Sequence, residues 1–157
     1  MIDLVFNNFT KQKKYSLDFF DKILKQAVSE TKLTQQNIGL SINTIGAGKM
    51  GSLNKTYRDK DTPTDVLSFP IQDLFYKSDF SGVGKNKTDA IIELGDIFIC
   101  LEVATKKAKE NLISLDEEVA FLVVHGFLHL LGYDHERSNA DEKEMFDLQD
   151  KILKSIV

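Results

Sequence analysis

The segment "SLDEEVAFLVVHGFLHLLG", Ser114 to Gly132, constrains the fold of this chain more than any other. From Val119 to Leu131 almost every position is apolar. A helix of that composition has no face for water and is buried nearly all round. Its start is well marked. Ser114 and Glu117 form an S-x-x-E capping box, and Asp116, Glu117 and Glu118 place negative charge where the macrodipole favours it. Its end is marked by Gly132, which can take the left-handed conformation that stops a helix and turns the chain. Burying such a helix takes several surrounding elements, and 157 residues, read as a single domain over 1–157, suffice.

The surrounding pattern supplies those elements. "IDLVFN" alternates Ile2, Leu4 and Phe6 against Asp3 and Val5, and "NIGLSINTI" repeats the period with Ile38, Leu40 and Ile42. "DVLSFP" reads as a short strand stopped by Pro70, and "IIELGDIFIC" as a fourth strand. Between them, residues 71–90 are polar and rich in glycine and lysine, which predicts a flexible surface loop. Helices are expected over "SLDFFDKILKQAVSE" with Ser16 as N-cap, over much of 49–57, over "LEVATKKAKENL" as an exposed amphipathic helix, and over "DEKEMFDLQDKILKSI". The third and fourth strands are joined by a loop, not a helix. The expectation is therefore an α+β fold with a mixed four-stranded sheet packed with helices.

Composition excludes some classes. No apolar run approaches the roughly 18 residues of a membrane span. "MIDLVFNNFT" lacks a basic region before a long apolar core, so no signal peptide is expected. Cys100 is the only cysteine, so it is read as a small buried hydrophobe in a reducing cytoplasm. A net charge of −4 gives no global attraction to nucleic acid, so any polyanion must be held by a local basic patch or a metal.

All three histidines lie in "HGFLHLLGYDH". His125 and His129, four apart, share one helical face, and the turn at Gly132 can bring His135 beneath them. Two ligands from a helix and one from the returning chain form a tripod with a position left open for water, as in catalytic zinc sites. A core histidine alone is more often a hydrogen-bonded structural residue. Three at this spacing point to one zinc ion, or another transition metal suited to imidazole. The spacing H-x3-H-x5-H is also that of metzincin proteases, giving a zincin-like metal site on a buried helix. In those proteases the residue after the first histidine is a glutamate base, whereas here it is Gly126, which cannot accept a proton.

"HGFLHLLGYDH" together with "LNKTYRDKDTPTDVLSFP", Leu53 to Pro70, resembles the two hallmark blocks of the YbeY family, bacterial rRNA maturation factors that act as metal-dependent single-strand endoribonucleases. "ELGDIFIC" fits the strand between the blocks and "EMF" fits the final helix. The likeness spans roughly residues 40 to 150. It departs in the 71–90 loop and in "GAGKMGS", where a more ordinary helix start is expected. The resemblance implies a mixed four-stranded sheet covered by helices, with zinc at one end of a groove. It implies His125, His129 and His135 as ligands and Arg58 as an essential arginine. It also implies a cytoplasmic role in 3′-end maturation of small-subunit rRNA and in ribosome quality control. The expected partners are single-stranded RNA, the small-subunit rRNA precursor, and ribosomal proteins or an assembly GTPase, with no membrane and no DNA.

Other residues carry two readings each. Arg58 is either a surface arginine paired with Asp59 or Asp61, or, beside a metal site, a planar bidentate donor to phosphate. Thr64 and Asp65 read as loop and cap residues. Ser68 either lines the groove as a substrate contact or packs at a strand edge. Asp134 is either a partner of a ligand imidazole or a turn residue. Lys55 is a candidate substrate contact, with Lys49, Lys60, Lys85, Lys87, Lys106, Lys107 and Lys109 as a possible RNA-facing set, although such lysines are most often a solvated face. "GAGKMGS" lacks phosphate-loop spacing. The favoured chemistry is metal-assisted phosphodiester cleavage, with Arg58 neutralising charge that builds on phosphate. The alternatives are a metallopeptidase, weakened by Gly126, and a non-catalytic ribosome-assembly factor with structural zinc, weakened by having only three obvious ligands.

Overall fold

The computed structural model describes residues 1–31, 33, 36–71 and 91–156. Apart from Ile71, the expected 71–90 loop lies outside the described residues, and so do Lys85 and Lys87. The elements run β1 (Ile2–Asn8), α1 (Leu17–Ser29), β2 (Asn37–Ile45), α2 (Ala47–Arg58), β3 (Val66–Pro70), β4 (Ile91–Cys100), α3 (Leu101–Glu110), α4 (Leu115–Leu130) and α5 (Asn139–Ile156). The strands form one sheet in the order β1-β2-β4-β3. The pairs β1/β2 and β2/β4 are parallel, and β3/β4 is antiparallel. The expected α+β fold with a mixed four-stranded sheet is borne out. Among the described residues no helix is long and apolar enough to cross a membrane.

Strand alternation gives the sheet two faces. One presents Leu4, Ile38, Leu40, Ile42, Ile97 and Ile99 to a core shared with α1 and α4. As its sequence requires, α4 is enclosed, with contacts to α1, α3, α5, β3 and β4. Val119, Leu122, Val123, Phe127 and Leu130 are all buried. The N-cap half of its capping box is made: the Ser114 hydroxyl oxygen accepts from the Glu117 backbone N–H at 3.1 Å, while the hydroxyl itself donates to Glu117 Oε1 at 3.2 Å. The opposite face is covered in part by α2, whose Met50 packs on Ile45, Leu67 and Cys100.

Two local expectations hold in position but rest on other contacts. Ser16 stands at the N-cap position of α1 in extended conformation but makes no side-chain capping bond. α1 is held by its buried face, Phe20, Ile23, Leu24 and Ala27. Helix α2 begins at Ala47, ahead of the expected 49, because a distant residue caps it. The Ala47 backbone N–H donates to Glu102 Oε1 at 3.1 Å. That cap comes from the first turn of α3 and has no signature in "GAGKMGS".

β3 is an edge strand. Its ladder to β4 is bracketed by Cys100 N–H to Asp65 O at 2.9 Å and Ile71 N–H to Leu94 O at 3.0 Å. Antiparallel alternation then turns the backbone groups of Val66, Ser68 and Pro70 to the free edge. Proline has no N–H, and the Val66 N–H donates to Asp65 Oδ1 at 2.8 Å. The outward strand donor left is the Ser68 amide.

The Glu102 contact generates a prediction. Glu102→Ala should lower stability by about 0.5–2 kcal/mol, as loss of an N-terminal cap does. Thermal unfolding measures the loss, and faster amide exchange confined to the first turn of α2 locates it.

Candidate metal centre

The last turn of α4 sets the geometry. Gly132 has φ +95°, in the region that favours glycine. The Gly132 N–H reaches His129 O at 3.0 Å and the Tyr133 N–H reaches Leu128 O at 3.1 Å, the paired bonds of a Schellman motif. The turn presents the Tyr133 carbonyl to His129, whose Nδ1 lies 2.9 Å from it. A carbonyl only accepts, so that Nδ1 carries the hydrogen and His129 Nε2 keeps a bare lone pair. His125 is oriented the same way from α5, with Nδ1 2.9 Å from Gln149 Oε1. The two Nε2 atoms then face each other at 3.0 Å.

Both imidazoles are held neutral. Burial, then the neighbouring His125, pushes His129 down to about 4. Burial likewise lowers His125, and the Gln149 bond opposes that shift. His135 completes the group, one ligand nitrogen from each residue lying within 4.8 Å of the others. Among the described residues its Nδ1 is buried and unpartnered. Two opposed lone pairs and an orphaned buried nitrogen suit a cation between them, and imidazole donors suit a transition metal. Aromatic packing fixes the ligands: Phe121 stacks on His125 at 5.9 Å and 9°, and the Phe146 ring centroid lies 5.8 Å from that of His135.

Gln149 was missed by sequence reasoning. It is 1% exposed and interrupts the buried stripe Met145, Gln149, Ile152 of α5. A lone amide on an apolar helical face was the available signal. Asp134 serves the turn: its Oδ1 accepts from the Glu136 N–H at 2.9 Å. Among the described residues no imidazole hydrogen-bonds to it.

The histidines open on a groove of about 660 Å³ whose other wall is Tyr57, Arg58 and β3. Gly126 explains how near that wall stands. A Cβ at 126 would lie 3.0 Å from both Ser68 Oγ and Ile97 Cγ2. The Ser68 hydroxyl donates to Gly126 O at 3.3 Å, tying β3 to α4. Position 126 therefore faces the sheet. Arg58 is exposed at the end of α2, and among the described residues it forms no ion pair with Asp59, Asp61 or any other carboxylate. Lys55 is exposed on the same helix but does not line the groove. Nor do Lys49, Lys60, Lys106, Lys107 and Lys109, the other described lysines of the suggested RNA-facing set. Lys107 pairs with Asp65 at 2.7 Å, and Lys49 lies over the Phe9 ring at 4.4 Å.

Comparison with known proteins gives the family and the fold. The family model described as Endoribonuclease YbeY matches residues 5–157. A protein named Endoribonuclease YbeY from Oenococcus oeni is 44% identical over 146 residues, covering 91% of this chain and 90% of that protein. One of the same name from Staphylococcus aureus is 47% identical over 114 residues, covering 73% and 70%. The solution structure of TM1509 from Thermotoga maritima shares the fold, with TM-score 0.62 and 24% identity over 99% of this chain and 89% of that one.

The centre generates two expectations. Gln149→Leu, which removes the acceptor but keeps the site filled, should weaken metal binding about 10- to 100-fold. His129→Ala should abolish it and remove the melting-temperature gain that added zinc gives. Chelator competition and thermal unfolding read both. The second concerns pH. The unfolded chain protonates this imidazole near pH 6.5, and folded His129 only near 4. Its contribution is intact above 6.5 and is lost as pH falls toward 4. Metal-free wild type should lose more stability across that window than His129→Ala.

Proposed function

Because the chain belongs to the Endoribonuclease YbeY family, we propose that residues 1–157 form one zinc-dependent, single-strand-specific endoribonuclease domain. Its role is 3′-end maturation of small-subunit rRNA and ribosome quality control in the cytoplasm, with ribosomal proteins or an assembly GTPase as partners. The observation that carries this reading is that the histidine group and Arg58 line one groove. His125, His129 and His135 hold the metal, which when bound supplies Lewis acidity at that groove. Arg58, exposed and without an ion pair among the described residues, binds a phosphate oxygen pair and neutralises charge that develops on it. The outward Ser68 amide is a further donor to phosphate, while its hydroxyl holds β3 against α4. Asp134 shapes the turn that delivers His135. Lys55, outside the groove, contributes at most a peripheral contact to the strand.

The peptidase alternative loses support at Gly126. The position where a protease carries its base faces Ser68 and Ile97, which would have to give way to any side chain there. Labelled single-stranded RNA should be cleaved by metal-replete protein and spared with chelator, while casein stays intact in both. Chelator-sensitive casein cleavage with RNA untouched overturns the proposal. Arg58→Ala should keep fold and metal yet lose about 10²–10³ in cleavage rate. Arg58→Lys should recover only part, since an ammonium lacks the bidentate fork. Single-turnover assays with metal content checked on the same samples read this. A wild-type rate in Arg58→Ala removes Arg58 from the active site.

A further inference from the structure

We propose that Tyr57 is a base-stacking subsite, on which an unpaired nucleobase of the RNA substrate lies while Arg58 holds a neighbouring phosphate; this rests on the nuclease reading above. Tyr57 is 64% exposed, although it belongs to a helix packed on the sheet. It lines the same groove as the three histidines and adjoins Arg58 on the last turn of α2. Its ring is also anchored. It meets Phe69 of β3 edge-on, with centroids 4.9 Å apart at 64°. Phe69 meets Phe98 of β4 at 5.6 Å and 78°. Both phenylalanines pack against the buried cluster under α2. A row of rings thus runs from the interior to the groove and ends in one that is mostly solvated.

An anchored, exposed ring loses little conformational freedom when a planar ligand settles on it. The neighbouring groups favour a nucleobase. Arg58, without an ion pair among the described residues, suits a phosphate, and the histidine site suits a metal acting on a phosphodiester. In a strand bearing both, bases alternate with phosphates. Stacking needs an open π-face, which a duplex keeps covered and a single strand offers. Preference for single strands then resides largely at this residue.

The chain contains no tryptophan, so Tyr57→Trp creates a single fluorescent reporter at the subsite. Rapid mixing with a short single-stranded oligoribonucleotide should quench its emission before cleavage, and the same sequence as a duplex should not. In steady-state assays Tyr57→Ala, with melting temperature and metal content checked, should lose about 5- to 150-fold in kcat/KM, the equivalent of about 1–3 kcal/mol, chiefly through KM. Tyr57→Phe should retain most of the activity. An abasic site at the stacked position should cost the wild type a similar factor and Tyr57→Ala nothing further, which a merely structural role does not predict. If wild type cleaves the RNA while Tyr57→Ala shows the same KM and the reporter emission is unmoved, the subsite is overturned. If the reporter is quenched by single strands but wild type cleaves nothing, the stacking site stands and the nuclease reading falls.

Discussion

Two imidazole nitrogens, each bare of hydrogen, face one another at 3.0 Å, and much of the fold serves to hold them there. Left to itself the arrangement is unfavourable. A buried polar atom without a partner costs about 1–3 kcal/mol, and here two lone pairs also oppose each other. The rings cannot turn away. His129 is fixed by the Tyr133 carbonyl and His125 by Gln149 and the Phe121 face. A cation between the nitrogens reverses the sign of the interaction. The packing that holds the two nitrogens together is thus what preorganises them for metal, and it is sustained by the apolar burial of α4.

The edge strand carries that order into the groove. β3 is tied to α4 through Ser68 and Gly126 and reached by α2 through Tyr57 and Phe69. Exposed sheet edges invite association with other chains. This one is short, ends in Pro70, and has its first N–H satisfied by Asp65. Asp65 also binds Lys107, anchoring the start of β3 to α3. The strand between the histidines and Arg58 is therefore fixed at both faces, and the Ser68 amide is the strand donor it turns outward.

Most of this was legible in sequence where the signal is local. The capping box, the all-round apolar helix, the turn at Gly132 and the period-two strands each follow from neighbouring residues. What sequence could not supply were contacts between distant segments. Glu102 caps α2 from α3, and Gln149 orients His125 from 24 residues away. Gly126 was read for the base it lacks. Its physical cause, the closeness of β3, appears only once helix and sheet are packed. Lys107 looked like one of several surface lysines until its pairing with Asp65 placed it in the scaffold.

Charge explains why a groove of this kind needs more than electrostatics to hold RNA. The chain carries a net charge of −4, and its groove mixes Arg58 and Arg137 with Asp65, Asp134 and Glu136. Arg137 lies 4.0 Å from Asp134 and 3.9 Å from Asp141, so its charge is shared with carboxylates. Among the described groove residues, Arg58 is the cation left without a carboxylate partner. Each phosphate neutralised contributes roughly one unit to the salt dependence of binding, so the described groove residues alone would give a shallow salt dependence. Affinity must then come from contacts that salt does not screen. In the proposed subsite, an aromatic ring held at the groove wall would supply one that a duplex cannot use, so sparse charge and a solvated tyrosine would act together to favour unpaired strands.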